Sequence, residues 1–548
     1  MSVSNAHPSP GVYTNIKDLS ARVQSATITS SAFVGRSVRG PVMERTLITD
    51  LQNYRDNFGL SSPKFGFMRY CVEPYLQKSN LAYVTRVING ALWAGAYWTV
   101  DDPDAVDPKT ALVSFSEDGS NVPMGRDDPQ NTMGFSPSDA GIDNVLGFFS
   151  AIDPGAWNNN IHIQISPANP KGIELRGNGH NPLKFYVKVF YGQLGESAAL
   201  VETHTCMRHD ETDELGTQMN IEEVINNNSS IIRFKANPYC KEFDIVVPCA
   251  EKLNGGSDGL APTNDQIAQA WEIYEDTDAV NVDLLVNCGY TSYDVQVKME
   301  AVARSRGDAI AILDLPANAQ SPALAVNYKR NILNISSYHA AIYGPRVKYK
   351  DADLNLELWI PVSGVVAARY AYNDEVRALW FAPAGVTRGY ISDTVYEVEE
   401  FYNQGDRDVL DKAQVNYIRS IPNKGLNIWS QYTTQEETTS MQNVNVARLT
   451  FHILKSAAKA AQYRLFDPND SLLRAYIVQI SDDFMYNIKA NRGVYDYVNI
   501  CDERNNNATT IANGDLVLDM IYDPTIAVKR VHHIFNINKT GSTLTVES

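Results

Sequence analysis

The 548-residue chain is too long for one compact core, and at ~100–200 residues per domain it predicts about three or four domains. Its composition, 44% hydrophobic and 20% charged, is that of a folded protein and excludes wholesale disorder. The 64 acidic residues outnumber the 47 basic ones and give a net charge of −17, which argues against coating nucleic acid or binding an anionic membrane surface.

Neither a membrane span nor an export signal is predicted. No stretch reaches the ~18 consecutive apolar residues of a spanning helix, and residues 1–8 lack the basic and apolar regions of a signal peptide. The six cysteines are spread along the chain without a Cys-x-x-Cys pair. We therefore expect reduced thiols in a protein that folds in a cytoplasm.

Residues 1–20 are predicted to form an N-terminal arm. Pro8 and Pro10 prevent a helix at the start. The residues that follow alternate like a short strand that has no partner nearby in the sequence. The strand residues of this arm are Val12, Tyr13, Thr14 and Ile16.

Residues 21–95 are predicted to be a compact α/β unit, with strands over 26–34 and 81–87 and a helix over 65–77. A further helix is expected between Thr49 and Gly59. Thr49 and Gln52 have the spacing of a capping box, and Gly59 suits the position after the last helical turn.

The composition changes after residue 95. Asp, Pro, Gly and Ser accumulate over 96–155, which is typical of surface loops or an inserted domain, and we assign 96–180 to such an insertion. Residues 181–345 form a middle region. Alternating runs at 161–165 and 185–190 predict antiparallel strands across the junction of these two regions.

The clearest pattern lies in residues 282–345. Apolar runs at 282–288, 309–313 and 339–343 are separated by helical stretches at 293–306 and 323–333. Strands that alternate with helices predict parallel βαβ units.

Residues 346–525 are predicted to be a C-terminal core domain with helices near 408–420, 441–465 and 470–491. Residues 526–548 then form a second arm. The residues that alternate onto one face of its expected strand are Val531, His533, Phe535 and Ile537.

The helix predicted over 441–465 contains no acidic residue. Its basic residues Arg448, Lys455 and Lys459 fall within about 40° of one another on a helical wheel. An apolar stripe runs beside them through Ala447, Phe451, Leu454, Ala458, Ala461 and Leu465. This edge is either an ordinary solvated face or a docking edge for an acidic partner.

Three places in the chain carry residue types that could support chemistry. The Gly-rich residues 254–259 lack the lysine of a P-loop and the spacing of a dinucleotide site, so a surface turn is favoured. His532 and His533 would point to opposite faces of a strand, and the spacing of His204, Cys206, His209 and Asp210 fits no standard zinc site. No nucleophile elbow or zinc-protease motif is present, so no enzyme and no cofactor is predicted.

Short motifs in chain order resemble those of contractile tail sheath proteins, which are known from tailed bacteriophages and related injection machines. The strongest are Pro10–Tyr13 (PGVY), Ser31–Gly35 (SAFVG), Gly155–Asn158 (GAWN), Gly425–Trp429 (GLNIW), Asn443–Leu449 (NVNVARL) and Phe466–Asn469 (FDPN). Each is weak alone, but together they extend over most of the chain.

The resemblance implies an α+β, multidomain fold: a mixed α/β core with parallel βαβ units, a β-rich protruding insertion, and strand-like arms at both termini. It implies a structural protein of the virion tail, assembled in the host cytoplasm as stacked hexameric rings. Its expected partners are the tail tube protein, the baseplate and the tail terminator or neck proteins, without nucleic acid or membrane insertion.

The implied function is mechanical. The sleeve would contract and drive the tube through the host envelope for genome ejection, without nucleotide hydrolysis. The arms would complete sheets of neighbouring copies, with a pivot near 521–525, and the basic helix would face the tube. Two alternatives remain: the sheath of a non-viral secretion or injection system, and an enzyme with a divergent site in the βαβ segment.

Overall fold

The computed structural model describes residues 29–101, 109–115, 144–167, 184–192, 198–207, 216, 218–240, 248–531 and 533. The N-terminal arm, with Val12, Tyr13, Thr14 and Ile16, lies outside the described residues, as do Phe535 and Ile537 of the C-terminal arm. The chain divides into two compact units. Among the described residues, the body comprises 29–372 and 383–436, and the C-terminal unit comprises 373–382 and the residues from 437 onward.

The elements are numbered in chain order. The strands are β1 Ser31–Gly35, β2 Thr46–Ile48, β3 Ala82–Arg86, β4 Gly95–Val100, β5 Thr110–Ser114, β6 Val145–Ala151, β7 Ile161–Pro167, β8 Phe185–Tyr191, β9 Ala199–Cys206, β10 Ile232–Ala236, β11 Cys249–Lys252, β12 Leu284–Val286, β13 Ile310–Asp314, β14 Ala340–Gly344, β15 Val347–Asp351, β16 Leu356–Ile360, β17 Glu397–Val398, β18 Val415–Ile421, β19 Gly425–Ile428, β20 Val494–Ile500 and β21 Asp519–Pro524. The helices are α1 Leu51–Phe58, α2 Met68–Leu76, α3 Ile221–Asn228, α4 Asn264–Glu272, α5 Tyr293–Arg306, α6 Pro322–Asn327, α7 Ser363–Val376, α8 Gly385–Arg388, α9 Gln404–Lys412, α10 Val444–Gln462, α11 Ser471–Ala490 and α12 Ala508–Ala512.

An eight-stranded sheet forms the centre of the body, in the order β2-β3-β1-β12-β13-β14-β18-β19. Its six inner strands are parallel, whereas β2 and β19 at the two edges are antiparallel to their neighbours. Phe33 sits between Val84 on one side and Val286 on the other. This arrangement confirms the parallel βαβ units predicted from the alternation of apolar runs and helices.

Two helix ends of the body were predicted from glycine. Helix α5 ends before Gly307, which takes a left-handed φ of +71°, and helix α1 ends before Gly59 at φ +70°. The predicted start of α1 was wrong by one residue. Asp50, not Thr49, caps it, with its Oδ1 accepting from the Asn53 N–H at 2.8 Å. Either side chain can cap a helix, so the sequence alone did not separate them.

The helix predicted over 408–420 is also corrected. Helix α9 ends at Lys412, and the chain then enters strand β18, which pairs in parallel with β14. Val415, Tyr417 and Ile418 suit a buried strand, and pairing with the sheet overrides the helical pattern read from neighbouring residues.

Residues 95–252 of the body form two antiparallel four-stranded sheets, β10-β6-β4-β5 and β11-β7-β8-β9. Their inner faces share one hydrophobic core that contains Trp98, Phe149, Phe185 and Phe234. Strand β7 pairs along its length with β8, so a single sheet spans the domain boundary that we expected at residue 180.

The C-terminal unit is built from α10, α11, β20 and β21. Its core consists of Leu449, Ile453, Phe484, Met485, Ile488 and Val494. Helix α11 begins at a capped end, where the Asp470 carboxylate accepts from the Leu473 N–H at 2.8 Å. None of the helices in the described ranges is long and apolar enough to cross a membrane.

Candidate assembly surfaces

The sheet of the C-terminal unit has only two strands. Among the residues that the structure describes, β20 and β21 pair only with each other, in a register that joins Tyr497 to Tyr522 and Val498 to Ile521. A two-stranded sheet is marginal by itself, and each unpaired edge offers backbone donors and acceptors to a further strand. This sheet can therefore accept additional strands on both sides.

The two faces of this sheet differ. Tyr497, Met520 and Tyr522 pack against the hydrophobic core of the unit. The opposite face carries Val498 and Ile521, and Tyr495 lies at the bulge of β20; all three are more than half exposed. An exposed apolar face beside an open edge is typical of a surface that another protein covers. Sequence analysis missed these residues, although the alternation Val494–Ile500 could have indicated the strand.

The chain continues past this sheet as an exposed segment. The pivot predicted at 521–525 is wrong for residues 521–524, which belong to strand β21 and are paired with β20. Residues 525–531 have no strand or helix assignment, and Ile526, Val528 and Val531 are exposed. His533 is exposed as well. Among the described residues of this segment, Val531 and His533 belong to no strand, so the strand predicted through them stays a prediction for the assembled state.

Helix α10 corrects the predicted basic edge. Arg448 is only 6% exposed, and its guanidinium Nη1 donates to Asp374 Oδ1 at 3.0 Å. Asp374 is equally buried, so Arg448 belongs to an internal ion pair and not to an outward-facing edge. A helical wheel gives the angles between side chains but not the depth of the helix in the protein. Residues 444–449 are buried on every side of the helix, so a position on the basic edge does not make Arg448 exposed.

The second half of α10 is the part that faces outward. Lys455 is half-buried and Lys459 is exposed. The apolar stripe also divides: Ala447 and Phe451 are buried, and Leu454, Ala458, Ala461 and Leu465 are exposed. The candidate docking edge is therefore two lysines beside an exposed apolar stripe.

The Gly-rich residues 254–259 are held by the body. Asp258 Oδ1 accepts from the Ala156 N–H at 2.9 Å, and the Arg36 guanidinium donates to the carbonyls of Asp258 and Gly259. A Cβ added at Gly259 would lie 2.3 Å from the Asn89 carbonyl oxygen. These contacts support the interpretation as a structural turn.

The predicted weak metal candidates gain no support. His204 Nε2 lies 3.0 Å from Glu202 Oε2, which also accepts from the Ser229 hydroxyl. His209 and Asp210 lie outside the described residues, as does His532. Within the described ranges, no group of three or more His, Cys, Asp or Glu side chains could hold a metal ion.

The comparisons with known proteins agree with the resemblance seen in the sequence. The family model described as the phage tail sheath protein central domain matches residues 261–434. The chain is 26% identical over 301 residues to the tail sheath protein of Vibrio phage KVP40 and 26% identical over 312 residues to that of Enterobacteria phage T4. These matches cover 50% and 53% of this chain, but 44% and 47% of the relatives, so the chain spans about half the length of the curated relatives it matches.

Solved sheath tail proteins share the fold. The protein from Listeria innocua gives a TM-score of 0.56 at 11% identity, covering 92% of this chain and 96% of that one. The protein from Desulfitobacterium hafniense gives a TM-score of 0.54 at 13% identity, covering 94% and 100%. Residues 261–434 therefore match the central domain of phage tail sheath proteins, and about half of the chain is similar to the tail sheath proteins of these two phages.

Proposed function

We propose that this protein is the subunit of a phage tail sheath, a helical sleeve that surrounds the tail tube and contracts to drive it through the host cell envelope for genome ejection. The observation that carries this proposal is the two-stranded β20–β21 sheet, with open edges and an exposed apolar face. In one molecule the edges of such a sheet lack partner strands, and in an array neighbouring copies can supply them.

The arms supply the missing strands. Residues 12–16 of one copy and residues 531–537 of another add to the open edges of β20 and β21, because main-chain pairing satisfies exposed backbone groups. The donor and acceptor surfaces differ, so the contact is heterologous and propagates as an open helix of stacked hexameric rings. Several linked contacts hold each subunit in place while the bodies rotate during contraction.

The energy of contraction resides in the lattice itself. The sleeve is assembled in an extended state, and a kinetic barrier holds it there until the baseplate triggers repacking. In this proposal the β-rich sheets of residues 95–252 are the protruding part of the subunit. The tail terminator or neck proteins close the other end, and the particle matures in the host cytoplasm.

Deletion of residues 1–17 tests the arm. The truncated chain is expected to fold with an unchanged far-ultraviolet circular dichroism spectrum but to form no sleeves in negative-stain micrographs, whereas the full chain forms sleeves. A matched control replaces residues 1–17 with a Gly/Ser segment of equal length, which should also fail to polymerise. Sleeves of normal length from either variant would refute the arm as the linker.

A non-viral contractile injection or secretion system is the second candidate. Its sheath would use the same core motifs and the same open sheet. Purification from the native source separates the two candidates: a phage sheath is recovered on DNA-filled particles, and a secretion sheath is recovered on headless tubes or with a recycling ATPase.

A further inference from the structure

One segment of the body, residues 430–436, leads directly into the C-terminal unit, and we call it the strap. Glu436 is the last residue of the body, and residue 437 already belongs to the other unit. Thr433 and Thr434 of the strap are fully buried, whereas Glu436 and the four residues after it are exposed. The outer end of the strap is therefore the place where the chain leaves the body.

The inner part of the strap is held by hydrogen bonds between uncharged groups. The Asn416 side chain donates from Nδ2 to the Tyr432 carbonyl at 2.7 Å and accepts from the Tyr432 N–H. The Thr434 N–H donates to the Ala340 carbonyl at 2.8 Å, and the Thr434 hydroxyl donates to the Ser337 carbonyl at 2.9 Å. These bonds place the strap beside the starts of β14 and β18.

The outer end of the strap is held by a buried lysine. Lys329 is fully buried, and its ammonium Nζ donates to Glu436 Oε1 at 2.5 Å. The Glu436 N–H also donates to the Ser336 hydroxyl at 3.1 Å. Lysine is almost never fully buried unless it is paired, and a charge-assisted hydrogen bond is roughly twice as strong as a neutral one. The ion pair is therefore the strongest of these contacts at the outer end.

The backbone on the lysine side of the pair is fixed. Tyr328–Leu333 form a π-helix, an element that is rare and often found at functional sites. The Asn334 N–H donates to the Lys329 carbonyl at 2.9 Å and closes this wide turn. The buried Tyr328 holds the other side, because its hydroxyl donates to Gln296 Oε1 at 2.9 Å. If the ion pair separates, the exposed end of the strap is thus the part that moves.

We propose that the Lys329–Glu436 pair is a latch that keeps the outer end of the strap on the body and so sets how much chain is free between the body and the C-terminal unit. While the pair is formed, the free segment begins at residue 437. When the pair is broken, the strap opens inward from Glu436 and the free segment becomes longer. The inference concerns the single chain and does not depend on assembly into a sleeve.

Hydrogen–deuterium exchange of the full chain, read by mass spectrometry in overlapping peptides, tests the latch. Glu436→Gln removes the negative charge at an exposed position, so the fold should be kept. The amides of Thr434 and Glu436 should then exchange about tenfold faster, because a hydrogen bond between charged groups is lost. Peptides from the centres of β14 and β18 should exchange as they do in the natural chain.

Glu437→Gln is the matched control, because it removes the same charge from the next residue, which is exposed and lies beyond the body. Exchange of the strap in this variant should equal that of the natural chain. Lys329→Met keeps a side chain of similar length without the charge and should speed exchange of the strap. Adding Glu436→Gln to Lys329→Met should have little further effect, because the two residues act as a pair.

The proposal is wrong if the strap of Glu436→Gln exchanges at the rate of the natural chain, or if Glu437→Gln speeds it equally. It is also wrong if the effects of Lys329→Met and Glu436→Gln add in full. Faster exchange of every body peptide in Glu436→Gln would contradict it as well, since the pair would then stabilise the whole body and not the strap. If Lys329→Met does not fold, the comparison of Glu436→Gln with Glu437→Gln still decides.

Discussion

Asp314 is a fully buried carboxyl group at the end of β13, where it accepts from the Ser363 N–H at 2.8 Å and the Gly289 N–H at 3.1 Å. The Ser363 hydroxyl donates to the same carboxylate. Burial raises the pKa of Asp314 to about 6, and these hydrogen bonds limit the rise. The charged form is thus costly in the folded protein, although three donors surround it.

This raised pKa predicts a pH dependence of stability. Between about pH 4 and pH 6 the folded chain binds a proton at Asp314 that the unfolded chain has lost, so stability falls as pH rises through this window. The free energy of unfolding of the natural chain relative to Asp314→Asn should decrease by up to about 3 kcal/mol from pH 4 to pH 7. Urea titrations at several pH values measure this difference, and a constant difference would contradict the assignment.

The Arg448–Asp374 pair gives a second prediction at this scale. Arg448→Ala removes the Arg448 guanidinium from the buried Asp374 carboxylate, and the loss of this buried ion pair should destabilise the C-terminal unit by about 3–5 kcal/mol. Lys489→Ala is the control, since it removes an exposed pair with Asp496 in the same unit and should leave the free energy of unfolding almost unchanged, because solvent screens such a pair. If urea unfolding showed equal losses of unfolding free energy for the two variants, the buried pair would contribute no more to stability than the exposed one.

Local signals predicted local features well, but not features that depend on distant residues. Gly59 and Gly307 end their helices as expected, because the ability to adopt a positive φ is a property of glycine itself and does not depend on distant residues. The burial of Arg448 could not be predicted, because Asp374 is 74 positions away.

At the scale of elements, helix α10 changes from buried to exposed along its length. Its first half is buried in the C-terminal unit, and its second half carries the half-buried Lys455 and the exposed Lys459 beside an apolar stripe. The spacing of apolar residues predicted the apolar stripe of α10 but not the residue at which the stripe becomes exposed. That residue depends on where α11 and β20 pack against the helix. We keep the second half as the proposed tube-facing surface and withdraw Arg448 from it.

The double variant Lys455→Glu and Lys459→Glu tests this surface. Exposed ion pairs contribute only about 0–1 kcal/mol each, but an array repeats them many times, so extended sheaths on tubes should become rare. Lys252→Glu with Lys350→Glu makes the same change in charge at exposed positions of the body and should leave assembly intact. The measurement is the number of extended tails in micrographs of each variant. Normal assembly of the Lys455→Glu and Lys459→Glu variant would show that this surface does not contact the tube.

At the scale of the whole molecule, the order of elements was more predictable than the grouping of domains. Strands and helices of residues 282–345 follow the sequence pattern closely, because each βαβ unit is specified by neighbouring residues. The eight-stranded sheet also takes in β1 and β3 from the start of the chain. Which strands meet across 250 residues depends on tertiary packing, and no local pattern encodes it.

The two ends of the eight-stranded sheet have a consequence for the proposed assembly of this protein into a polymer. The outermost strands, β2 and β19, have three and four residues and run against their neighbours. Edge strands this short offer another chain few unpaired backbone N–H and C=O groups. They therefore protect the eight-stranded sheet from amyloid-like growth at high subunit concentration. In the proposed polymer, a strand from another subunit would then add to the β20–β21 sheet and not to the eight-stranded sheet.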